Sequence, residues 1–177
     1  MTNLGDAPAS RPHRSLTARI AAARPPWFDW LAGALAWGIA IAAAAWIGYR
    51  LSHSLSASHD TILLVLHFIG AAIAWLIALP LIRGLVCDRR AATRFAAALL
   101  LLGAGTILLI AFAYAMQYRQ FYSRWHAPFG TITWCYQFVF TGAVAAYQFA
   151  VLGIRPLLAV GGPLLIASSL WLAHRNR

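Results

Sequence analysis

The chain has 177 residues, 62% hydrophobic and 10% charged, with 14 basic and 4 acidic residues giving a formal net charge of +10. A soluble domain carries about 25% charged residues, so the polar surface of an ordinary water-soluble globule is missing. Disorder is excluded too, because it needs low hydrophobicity and the mean hydropathy is +0.69. The class that remains is an all-α integral membrane protein.

Every basic residue is an arginine, and the arginines stand between apolar runs. There they act as membrane-flanking topology signals, which accounts for the charge without any nucleic-acid partner. Cys87 and Cys135 match no metal or redox spacing.

In chain order, residues 1–26 read as a basic cytoplasmic tail, poorly ordered apart from a helical stretch over 15–24 that Pro25-Pro26 ends. Its arginine and serine content also fits a mitochondrial transit peptide, the alternative to a bacterial inner membrane. A single transmembrane domain over 27–174 follows, with 175–177 as a short C-terminal tail. Crossing a hydrocarbon core of ~30 Å takes about 20 helical residues. The apolar runs predict five spans, near 27–49, 61–82, 95–116, 131–152 and 156–173. The last two are split by Gly153-Ile154-Arg155-Pro156, read as a stop, because one helix over both would be about twice the membrane. Four spans with a re-entrant tail is the alternative. With the N-terminus inside, nine arginines lie inside and five outside, which predicts an N-in, C-out bundle with short loops.

Small residues mark the packing faces. Ala34, Gly38 and Ala42 recur every four residues on the first span, and Gly70, Ala74 and Ala78 do so on the second. Such stripes let helix backbones approach closely in lipid.

Chemistry-bearing residues gather in the outer half. His67 shares a helical face with Ala71, Ala74 and Ala78 and is expected to point into the bundle, where a polar side chain is costly. His53, His59, His126 and His174 sit near the outer surface. Tyr114, Tyr118 and Tyr122 form a hydroxyl stripe flanked by Arg119 and Arg124. Tyr136-Gln137-Phe138 recurs eleven residues later as Tyr147-Gln148-Phe149, three turns on and on one face. Either these groups glue helices together, or they form an outward groove for an anionic amphiphile, since guanidinium binds such a head in a fork. The ligand-binding candidates are therefore His67, Tyr114, Tyr118, Arg119, Arg124, His126, Gln137 and Gln148.

No carboxylate stands at mid-membrane, and no nucleophile pattern or Gly-rich phosphate loop is visible. Bis-histidine haem would need a second inward imidazole beside His67, so no metal and no cofactor is expected. The expectation is a non-catalytic accessory or structural subunit, with the bilayer and a membrane protein or a second copy as partners. The alternatives are a carrier or flippase-like protein for an anionic amphiphile, and a redox subunit touching quinone or haem b.

Overall fold

A computed structural model describes residues 16–52, 60–86 and 88–175. The readings made for His53, His59 and Cys87, and for the tails at 1–15 and 176–177, fall outside them. All regular structure among the described residues is helical: α1 (Leu16–Ala23), α2 (Trp27–Leu51), α3 (Asp60–Val86), α4 (Ala91–Tyr122), α5 (Ile132–Gln148) and α6 (Ile154–Arg175). A short 3-10 turn, Ser123–Trp125, ends α4, and a wide π turn, Phe149–Gly153, joins α5 to α6. Four helical runs are long and apolar enough to cross a membrane: Trp27–Leu51, Thr61–Val86, Ala91–Trp125 and Ile132–Arg175.

Local chemistry sets several of these boundaries. Pro25-Pro26 separates α1 from α2, and Asp29 in the first turn of α2 and Arg50 in its last complement the helix dipole. Gly130 takes the left-handed conformation at φ +85° in the turn before α5, a backbone state that glycine adopts without strain. Thr131 then caps α5, its Oγ1 accepting the Trp134 N–H at 3.2 Å.

Helices α2, α3, α4 and α6 close a ring, each packing on the next, as in an up-down-up-down bundle. The two predicted small-residue stripes lie inside it. A Cβ on Gly38 would meet the Phe68 ring, and one on Gly70 would press on the Ile110 backbone. Ala34, Ala74 and Ala78 are buried. Both diagonals are bridged by tryptophan: Trp37 on α2 reaches Thr106 on α4, and Trp75 on α3 lies 6.5 Å from the Trp171 ring on α6. Trp75 is buried in the bundle.

The expected break at Gly153-Ile154-Arg155-Pro156 does not occur, and the two stretches read from the sequence as separate fourth and fifth spans are continuous. Residues Ile132–Arg175 run as one helical stretch of 44 residues. A proline inside a helix lacks a donor and clashes with the carbonyl four residues back. For Pro156 that carbonyl belongs to Leu152, inside the π turn, where the Ile154 N–H bonds the Phe149 carbonyl five residues back. The widened turn absorbs the proline, so the helix bends its bonding pattern without reversing direction. Helix α6 then runs antiparallel to α2. Gly48 sits so close to Pro156 that a Cβ there would overlap the Pro156 carbonyl. At the other end, Arg175 Nη2 donates to both carboxylate oxygens of Asp29, at 2.9 and 3.1 Å. The last helix therefore ends beside the start of the first long one.

Because Gly48 abuts Pro156, Arg50 and Arg155 stand at one level, and Asp29 and Arg175 mark the other. The 20 residues from Arg155 to Arg175 rise about 30 Å. Helix α5 and the tip of α4 continue past the Arg50–Arg155 level as an arm, packed on each other.

Candidate functional site

The predicted site residues do not share one groove. All but Gln148 divide among three places along α4.

The first is the interior of the bundle. His67 is fully buried, as its alanine-lined face implied. Its Nδ1 donates to the Leu63 carbonyl at 2.7 Å, which leaves Nε2 as the lone-pair nitrogen of the neutral ring. That Nε2 is buried without a hydrogen-bond partner. Three rings enclose the imidazole edge-on: Tyr114 at 5.7 Å, Tyr49 at 5.9 Å and Phe149 at 6.0 Å between centroids. The Tyr49 and Tyr114 hydroxyls share a long hydrogen bond of 3.4 Å. Gly153 completes the enclosure, because a Cβ there would strike the Phe149 ring. Tyr114 thus belongs with His67 and not with the outer groups. Tyr49 and Phe149, absent from the sequence candidates, come from α2 and from the π turn, and no local spacing links them to His67. Among the described residues no three His, Cys, Asp or Glu side chains gather as a metal set.

The second place is the seam between α4 and α5. The Arg119 guanidinium lies over two rings of α5, 5.1 Å from the Trp134 centroid and 4.5 Å from that of Phe138. Gln137 is half-buried beneath the loop, and its Oε1 accepts the Ala127 N–H at 2.8 Å. The Tyr118 and Tyr122 rings lie 4.6 Å apart, tilted by 46°, with the Tyr118 hydroxyl donating to that of Tyr122 at 3.4 Å. Arg119 and Gln137 are thus occupied in holding α5 against α4 and the loop between them. His126 follows the 3-10 turn, half-buried, its backbone N–H bonded to the Ser123 carbonyl.

The third place is the opposite face of the α4 tip. Arg124 lines a cavity of about 230 Å³ with Gln117, Gln120, Phe121 and Trp125. Only Arg124 of this set was singled out from the sequence. The others carry a legible signal, since positions 117, 120, 121 and 124 follow the i, i+3, i+4, i+7 spacing of one helical face. Gln148 joins none of the three places: like Tyr136 and Tyr147, it is exposed on α5.

Helix α5 itself is thinly covered. Only Ala145 in it is buried, while Ile132, Tyr136, Val139, Phe140, Val144 and Tyr147 are exposed. Their spacing of three and four residues makes one continuous apolar face. No formal charge occurs between Arg124 and Arg155. No protein family, curated protein or solved structure matches this chain.

Proposed function

We propose that the chain is a non-catalytic accessory subunit of a membrane complex, held in the bilayer by its four-helix bundle and docking a membrane-protein partner along α5. The observation that carries this reading is the apolar face of α5. The 30 Å between the Arg50–Arg155 and Asp29–Arg175 levels matches one hydrocarbon core. With the bundle set in that core, the arm stands beyond it, and an uncharged helix with a continuous apolar face outside lipid needs a cover. Tyr136 and Tyr147 suit such a surface, since tyrosine is enriched in protein interfaces.

Four spans also sharpen the orientation. The end bearing Asp29 and Arg175 then holds ten arginines, counting both tails, against four at the other end. By the positive-inside rule that end is cytoplasmic, in a bacterial inner membrane, and the arm faces outward.

A photo-crosslinking residue tests the reading when placed at Phe140 and, as the lipid-facing control, at Leu108. Both positions are exposed, at 65% and 67%. The expected result is a discrete protein adduct from position 140 and none from position 108. Only lipid adducts from position 140 would remove the docking role.

A further inference from the structure

The cavity at the α4 tip is chemically distinct from the arm's docking face. At about 100° per residue, Arg119 points roughly opposite to the mean direction of Gln117, Gln120, Phe121 and Arg124. Since Arg119 lies on α5, the cavity faces away from α5. It therefore stands independently of the partner proposed above.

The arginines of the chain's outer end are not equivalent. Arg50 lies over Trp46 and Arg119 over Trp134 and Phe138. Arg124 makes neither an ion pair nor a ring contact with any described residue, so its fork of N–H donors is unspent. Two amides, Gln117 and Gln120, share its cavity and add neutral donors. Phe121 and Trp125, whose rings lie 6.0 Å apart, form the apolar wall. A guanidinium takes two oxygens of a phosphate in parallel, the amides reach further oxygens, and the rings take an apolar or flat group. The cavity is open to its surroundings, with Arg124, Gln120, Phe121 and Trp125 all exposed. An ordinary topology anchor needs neither the amides nor the paired rings beside it.

We propose that the cavity binds a phosphate ester, with its phosphate on Arg124, Gln117 and Gln120 and its apolar part against Phe121 and Trp125. The same chemistry is offered by a soluble aryl or nucleoside phosphate and by a lipid head. The experiment has one arm for each source. In the first, the full chain in phosphatidylcholine nanodiscs is titrated with phenyl phosphate and followed by calorimetry. In the second, nanodiscs doped with phosphatidic acid are analysed by native mass spectrometry for lipid retained per chain. The expected result is one saturable site in at least one arm, weakened about tenfold or more by Arg124→Ala and unchanged by Arg155→Ala. The thermal midpoint of each variant, expected to match the parent, shows that folding is intact. Absence of saturable binding in both arms would overturn the proposal. So would equal weakening by Arg155→Ala, since that outcome is general attraction to a cationic protein.

Discussion

Trp37 donates its indole N–H to the Thr106 hydroxyl at 3.0 Å, across the diagonal of the bundle and out of reach of water. Helices α2 and α4 are otherwise separated by their neighbours in the ring, so this bond fixes their relative height. Replacing Thr106 by valine keeps the shape and leaves the indole N–H buried and unpaired. Membrane hydrogen bonds of this kind contribute about 0.6–2 kcal/mol, and a loss of that size is expected for Thr106→Val in reversible unfolding in detergent. Adding Trp37→Phe to Thr106→Val should cost less than the two single losses together. Strict additivity would mean that the bond contributes nothing.

Two glycines give opposite expectations. Gly48→Ala forces a methyl group into the Pro156 carbonyl, between two backbones that cannot yield as side chains do. Overpacking of this sort costs about 1–3 kcal/mol, seen as a lowered unfolding midpoint. Gly142 on α5 has nothing within 4 Å of a Cβ. Gly142→Ala should therefore hold or raise stability, by up to about 1 kcal/mol from helix propensity.

The topology is checked by reporter fusions. Fusions after Arg90 and after Arg175 are expected on the same, cytoplasmic side, with one at Phe129 on the other. Reporters at Arg90 and Arg175 on opposite faces would restore the odd number of crossings.

His67 separates packing from work. Its Nε2 has no partner to lose, and the Leu63 carbonyl keeps its helical bond. His67→Leu is thus expected to leave the unfolding free energy within about 1 kcal/mol of the parent, because exchanging an unsatisfied polar group for an apolar one is nearly neutral. Complementation in cells is the second readout. A variant that folds and fails to complement assigns the imidazole a working role, while normal complementation leaves it a core residue.

The arginines at the α4 tip divide in the same way. Arg119→Ala removes a guanidinium stacked on two rings of the neighbouring helix and should cost about 1 kcal/mol. It should also raise amide exchange along Ile132–Gln148. Arg124→Ala, with no such contact, should change neither.

The bundle was legible where a face repeats. The alanines below His67 and the small-residue stripes on the first two spans gave the inward direction of α2 and α3, because lipid packing imposes a helical period on composition. The end of the fourth span was not legible. Glycine and proline are local stop signals, but Pro156 is seated by the π turn just before it and by Gly48, which belongs to a helix about a hundred residues away. The division of the site was half-legible. Arg119 and Arg124 flank the tyrosine stripe in sequence, yet five residues is about 140° of rotation, so they had to face different surroundings. Tyr49 and Phe149 reach His67 from two other elements, which no spacing within one helix encodes.

The π turn at Phe149–Gly153 amounts to one residue more than an α-helix of the same rise would hold. It therefore sets the phase between the two halves of a 44-residue rod. Winding Phe149–Gly153 as ordinary α-helix, with no residue removed, would rotate α5 by about 100° on its axis. The Tyr136 and Phe140 face would swing round by a quarter-turn while the bundle stayed still. The extra residue thus works as an angular setting, fixing the direction in which the arm presents its apolar side.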